Sequence, residues 1–148
     1  MTYRKAIEKD LKSVAELFDS YRVFYEKESD LESAEKFIFE RLKNNDSEIF
    51  IAENESLELV GFVQLYPLFS STRMEKLWLL NDLFVNADFR GKGVSVNLID
   101  TAKNLVRETH ACGLFLETSK TNIIGNNLYP KTGFKLNNDS NYYEWNNS

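Results

Sequence analysis

Apolar positions in this chain follow two periods, and each change of period marks a boundary between elements. Residues 2–6 are predicted as a short first strand. From Asp10 onward, Leu11, Val14, Leu17, Phe18, Tyr21 and Tyr25 recur at helical spacing, with Asp10 available as the cap. This helix ends in an aromatic cluster of Tyr21, Phe24 and Tyr25. A second stripe, Leu31, Ala34, Phe37, Ile38 and Leu42, follows a cap at Ser29 or Asp30 and predicts a second helix. Residues 48–53 alternate as a strand. Residues 57–68 are long for one strand; Gly61 marks a bulge or a close backbone approach, and Pro67 closes the run. A polar loop over 69–76 leads to a further strand at 77–85, which makes an antiparallel meander. Val94, Leu98, Ile99, Ala102, Leu105 and Val106 then predict a third helix. Residues 114–118 read as a short buried strand, 122–131 as a helix, and 134–136 with 142–145 as a terminal hairpin. Strands and helices do not alternate regularly, so the expected class is α/β with a mixed sheet, in a single domain over residues 1–148.

Composition narrows the function classes. The chain has 148 residues, 43% of them hydrophobic, enough for one packed core. Its net charge of −5 argues against broad nucleic-acid binding. No apolar run reaches the length of a membrane span and the first ten residues have no signal-like apolar region, so a soluble, cytoplasmic protein without a membrane partner is expected. One cysteine, Cys112, and one histidine, His110, cannot build a structural zinc site, so no metal is expected. Cys112 reads as a small buried residue, and His110 as a residue near a helix C-terminus.

The candidate chemistry lies between the strand at 77–85 and the third helix. Arg90, Gly91, Lys92, Gly93, Val94 and Ser95 form a glycine-rich turn that runs into a helix. Unpaired N–H groups, the helix dipole and two cationic side chains make such a turn an anion site. It fits neither the phosphate loop of nucleotide triphosphatases nor the dinucleotide fingerprint, because Val96 stands where the latter needs its third glycine.

Preceded by Leu83, Phe84 and Val85, this turn resembles the acyl-CoA signature of the GNAT superfamily of N-acetyltransferases, Arg/Gln-x-x-Gly-x-Gly/Ala, with Ser95 in its last position. A second block, Asn122-Ile-Ile-Gly125-Asn-Asn-Leu128-Tyr129-Pro-Lys-Thr-Gly133-Phe134, is similar to the family's Asn-x-x-Ala-x-x-Leu-Tyr-x-x-x-Gly-Phe, with Gly125 in place of the usual Ala. The resemblance covers nearly the whole chain. Tyr21-Arg22-Val23-Phe24-Tyr25 also resembles a subgroup that includes enzymes acting on amino acids, polyamines or histone tails.

The resemblance implies a mostly antiparallel sheet whose parallel strand pair splays around acetyl-CoA, the co-substrate. Backbone N–H groups of Gly91, Gly93, Val94 and Ser95 would hold the pyrophosphate, with charge from Arg90 and Lys92. Leu83 and Val85 would pair with the pantetheine amides like an added strand, and Asn122 would contact the same arm or cap the helix after it. Asp82 would accept the amine's proton, with Glu117 and Glu26 as lesser candidates. A main-chain N–H of Phe84 or Val85 would stabilise developing negative charge, and Tyr129 would act as acid toward the departing thiolate. Arg22, Tyr25, Tyr66 and Asp82 would meet a small-molecule amine, an amino acid or polyamine. The alternatives are a non-catalytic acyl-CoA sensor or an enzyme for protein lysines or N-termini. A second copy of the chain is a candidate partner, through Tyr142, Tyr143 and Trp145.

Overall fold

The structure, a computed structural model, describes residues 1–147. The backbone falls into two compact units, Met1–Glu117 and a second that starts at Thr118. The first contains β1 (Thr2–Lys5), α1 (Leu11–Phe24), α2 (Leu31–Asn44), β2 (Glu48–Glu53), β3 (Leu59–Ser70), β4 (Glu75–Val85), α3 (Val94–Glu108) and β5 (Leu114–Phe115). The five strands form one sheet in sequence order; the first three pairings are antiparallel and β4–β5 is parallel. This is the expected mixed α/β architecture.

The two faces of the sheet are covered by different helices. On one, Val14 and Leu17 of α1 and Ile38 of α2 pack with Ile49, Ile51 and Phe62 of the sheet. Phe62 is fully buried, with Phe18 and Tyr21 edge-on to it at ring-centroid distances of 6.4 and 6.0 Å. On the other face lies α3, whose predicted stripe of Val94, Leu98, Ile99, Ala102 and Leu105 is buried. Gly61 permits close approach here. A Cβ at that position would lie 2.9 Å from the Phe84 carbonyl oxygen and 3.4 Å from a Leu98 methyl.

Several local expectations change. Asp10 follows a short 3-10 turn and does not cap α1 with its side chain; its carboxylate takes the Ile7 N–H and the Arg4 guanidinium instead. Of the two candidates for α2, Asp30 is the cap, accepting from the Ser33 N–H, while the Ser29 hydroxyl donates to Asp19. Pro67 does not close β3, which continues to Ser70. Strand alternation points its ring nitrogen toward β2, whose last pair is Glu48 with Leu65, so no ladder bond is lost there. β5 is two residues rather than five and is only half-buried to exposed.

The second unit holds α4 (Ile123–Lys131). The expected terminal hairpin is absent among the described residues: 134–147 form no strand. Its Asn-rich stretch satisfies backbone groups locally, with Asn137 accepting from the Asp139 N–H. Tyr142, Tyr143 and Trp145 are exposed.

Candidate active site

The site is built on an irregularity in β4. Gly61 pairs with Val85 and the register runs evenly to Gln64 with Asp82, but Leu65 then pairs with Leu80. Asn81 is the extra residue, a β-bulge that shifts the alternation of β4 by one. Before it, the Trp78 N–H donates to Gly113 beside β5, at 3.1 Å; after it, the Asn86 N–H donates to Val60 of β3, at 2.8 Å. Beyond the bulge, therefore, even positions address β3, and Leu83 and Val85 turn their N–H and C=O groups to the opposite edge. Because β5 pairs only with Trp78 and Leu79, no strand among the described residues lies on that edge from Leu80 onward. An extended ligand carrying amides could add there. The Phe84 carbonyl, close to Gly61, faces β3, which moves the candidate charge-stabilising N–H from Phe84 to its odd-numbered neighbours.

The bulge also redirects side chains. Trp78 reaches α3, donating from Nε1 to Thr109 at 2.9 Å, whereas Asp82 shares the α1 face with Gln64, Phe62 and Phe84. Asp82 is 3% exposed. Its Oδ2 accepts from Gln64 Nε2 at 2.6 Å and its Oδ1 from Asn81 Nδ2 at 3.1 Å, and Tyr21 hydrogen-bonds it as well. All three partners are uncharged. Burial pushes the Asp82 carboxyl above the usual range, and the hydrogen bonds from Gln64, Tyr21 and Asn81 only partly offset that. Glu26 and Glu117, the lesser candidates, are exposed.

Next to Asp82 stands an aromatic wall at the end of α1. Tyr21 packs on Tyr25 at 4.9 Å, Tyr25 on Phe24 at 5.2 Å, and Phe24 on Phe84 at 6.5 Å. Tyr66 is half-buried, and burial together with the Asp82 charge pushes its phenol up to about 12, so it stays protonated at working pH. Arg22 is committed elsewhere: it lies 3.6 Å from Asp19 and donates to the Glu28 carbonyl, tying down the α1–α2 connection.

In the glycine turn, Gly91 and Gly93 have φ of +73° and +79°. A Cβ at Gly91 would meet nothing within 4 Å, so it is backbone conformation and not crowding that requires glycine. Gly93 is the N-cap of α3, followed by Val94 and Ser95 in its first turn. The two cations fold back from the turn. Arg90 donates from Nε to the Val85 carbonyl at 2.9 Å, with its guanidinium 5.4 Å from the Phe24 ring and 5.5 Å from Phe84. Lys92 lies over Phe89 and reaches the Asp88 carbonyl. The backbone amides, the helix terminus and two nearby positive charges suit a phosphate-bearing ligand.

In the second unit, Asn122 caps α4, accepting from the Gly125 N–H at 3.1 Å and donating to Thr118 at 2.9 Å. Gly125 leaves room for the Asn122 amide in this arrangement. A Cβ there would lie 2.5 Å from Asn122 Nδ2 and 3.2 Å from the Tyr129 ring. Tyr129 packs edge-on to Phe134 at 5.7 Å. His110 ends α3 in a left-handed conformation, φ +53°, and Cys112 is half-buried rather than buried. Among the described residues no group of His, Cys, Asp or Glu is arranged to hold a metal, and no helix is long and apolar enough to cross a membrane.

Sequence reasoning missed Gln64, Asn81 and Ser47, whose hydroxyl bonds Gln64 at 2.9 Å. Two signals were present: a glutamine inside the apolar run of β3, and two adjacent polar residues, Asn81 and Asp82, where strict alternation allows one.

Comparisons with known proteins converge on one family. The family model "Acetyltransferase (GNAT) family" matches residues 11–134. The chain is 42% identical over 135 residues to an uncharacterised N-acetyltransferase, YhfO, of Bacillus subtilis (strain 168), covering 91% of this chain and 90% of that one. It is 31% identical to a probable acetyltransferase of Haemophilus influenzae, covering 90% and 89%. A crystal structure of a probable acetyltransferase superposes with a TM-score of 0.94 at 36% identity, over 100% of this chain and 99% of that one. With the turn, the open strand edge and the matched residues in agreement, the chain belongs to the GNAT family of acetyltransferases.

Proposed function

We propose that this acetyltransferase moves an acetyl group from acetyl-CoA to the primary amine of a small molecule, by direct attack with both substrates bound. The observation that carries this is Asp82: a carboxylate buried among uncharged partners, one residue past a bulge that leaves the adjoining strand edge open. A buried carboxylate held only by neutral donors is costly to keep ionised, and such a group suits proton transfer better than structural support.

Acetyl-CoA supplies an activated acetyl thioester. The groups that fit it are the main-chain amides of Gly91, Gly93, Val94 and Ser95 for the pyrophosphate, and the outward N–H and C=O groups of Leu83 and Val85 for the pantetheine arm. Arg90 and Lys92 contribute positive charge near the turn. Arg90 must release the Val85 carbonyl if the arm is to use it. Phe84 lends its ring, and Asn122 helps by fixing the start of α4.

Asp82 takes a proton from the bound ammonium, the form that dominates at neutral pH, and so releases the neutral amine that attacks the thioester carbonyl. An outward N–H of β4, at Leu83 or Val85, stabilises the charge that develops on the carbonyl oxygen. Tyr129 is assigned as the acid for the thiolate from its place in the family block.

For the acceptor, Tyr21, Tyr25, Tyr66 and Asp82 present aromatic faces and one acidic group, which suit a cationic amine. Arg22 is held by Asp19 and Glu28, so a free amino acid's carboxylate has less support than a polyamine. A panel of polyamines, amino acids and lysine peptides, assayed for CoA thiol release, tests this. Acceptor-dependent thiol with a polyamine supports it. Tight acetyl-CoA binding by calorimetry with no thiol from any acceptor would identify an acyl-CoA sensor instead.

A further inference from the structure

Three of the buried polar side chains form one row across the sheet. Ser47, just before β2, bonds through its hydroxyl to Gln64 Oε1 at 2.9 Å; Gln64 Nε2 then donates to Asp82 Oδ2 at 2.6 Å. Ser47 is 8% exposed and Gln64 is fully buried. A glutamine in this place is expensive, because both ends of its amide lose water and each must find a partner. An apolar residue of the same size would complete the Phe62–Phe84 face without that cost. The arrangement also has a direction. An ionised carboxylate only accepts, so the amide must present its NH2 to Asp82 and its oxygen to Ser47, which donates.

We infer that Gln64, oriented by Ser47, is a positioning residue that holds the Asp82 carboxylate in place and favours its ionised form. The inference rests on the assignment of Asp82 as base, and adds the part of the protein that keeps that base usable at neutral pH. The other groups around Asp82 are Asn81 on its own strand, Tyr21 of α1 and Tyr66 of β3; beyond Tyr66 lie Arg41 and Asp46, whose charges act on that phenol in opposite directions. Tyr66 stays protonated through the range in which Asp82 titrates, so the change of charge in this pocket belongs to Asp82. Asn81 and Tyr21 also donate to the carboxylate, but solvent reaches both, Asn81 being exposed and Tyr21 half-buried. Gln64 is the donor that solvent cannot replace.

The test is the titration of the Asp82 carboxyl, followed by carbon NMR on aspartate-labelled protein and assigned with Asp82→Asn, alongside the pH profile of kcat/KM for the amine. Gln64→Met keeps the volume and removes the donor. The Asp82 midpoint should rise by roughly one to two pH units, as expected for losing a buried charge-assisted hydrogen bond, and the acid limb of the profile should move with it. Ser47→Ala should shift both in the same direction by less, and serves alone if Gln64→Met does not fold. An unmoved midpoint in a folded variant overturns the inference. If the midpoint moves while Asp82→Asn retains full activity and its acid limb, the inference stands and the assignment of Asp82 as base fails.

Discussion

Two of the buried aspartates, Asp10 before α1 and Asp82 in β4, are treated in opposite ways. Asp10 is gripped by Arg4 through two bonds of 2.8 and 3.0 Å and also accepts the Ile7 N–H, while Arg4 extends to Glu53 of β2 at 2.8 Å. The Arg4 guanidinium holds the Asp10 carboxyl below its usual range. Asp82 has only neutral donors, and burial drives its carboxyl up. The first arrangement joins β1 to the start of α1 and to β2, and sets a cation directly against the Asp10 carboxylate. The second leaves a charge uncompensated at the bulge, where the sheet edge opens. Stability accounts for Asp10, but stability alone would have replaced Asp82 with an apolar residue.

The sharpest way to break this comparison is to neutralise each aspartate. Asp82→Asn should lower kcat by roughly 10²–10⁴-fold, the usual range for a lost general base, while Tm stays level or rises, because a buried charge has been removed. Asp10→Asn should leave kcat per folded molecule unchanged and lower Tm. Thermal melts beside steady-state rates separate the two outcomes. Arg4→Met, which strips the cation from Asp10, should cost about 1–2 kcal/mol in urea unfolding, toward the low side of the range because solvent reaches this ion pair.

The pH dependence of stability sharpens the contrast, since the two signs differ. Asp10 has a lowered folded pKa, so its contribution is present above the unfolded value of about 3.9 and is lost as pH falls through the folded value. Asp82 has a raised folded pKa. Between about 3.9 and that value the native state holds a proton that the unfolded chain gives up, so its effect is most favourable at low pH and is lost as pH rises through the folded value. Relative to Asp82→Asn, the parent should lose stability over that rise; relative to Asp10→Asn, it should lose stability on acidification. Urea unfolding across pH 3 to about 8 reads both.

Smaller effects test the remaining parts. Gly93→Ala forces a side chain into a left-handed φ at a cost of about 1–2 kcal/mol and should raise the KM for acetyl-CoA more than that for the amine. Gly125→Ala should change stability by less than about 1 kcal/mol, because better helix propensity offsets a disturbed Asn122 cap.

The sequence made the elements and the anion turn legible because both rest on local rules. Hydrophobic period located α1, α2, α3 and β2, and Gly91 and Gly93 announced the strand-to-helix turn. What it could not convey depended on pairing. The bulge exists only relative to β3, so the direction of Asp82 and the availability of Leu83 and Val85 could not be fixed from β4 alone. The extents of β5 and of the expected terminal hairpin failed for the same reason: a run of β-forming residues is a strand only where a neighbour accepts its ladder bonds. Arg90 and Lys92 were legible as charges but not as side chains folded onto Phe24, Phe84 and Phe89, contacts that depend on the path of the turn and the packing of α1 beside it.

The most direct test of the account is the pH profile of kcat/KM for the amine substrate, compared between the parent protein and Asp82→Asn at saturating acetyl-CoA. The account predicts that the parent loses activity on the acid side with an apparent pKa above the ordinary aspartate range, and that in Asp82→Asn this limb disappears from a much lower plateau. The same limb, at the same pH and the same height, in a folded Asp82→Asn would contradict it.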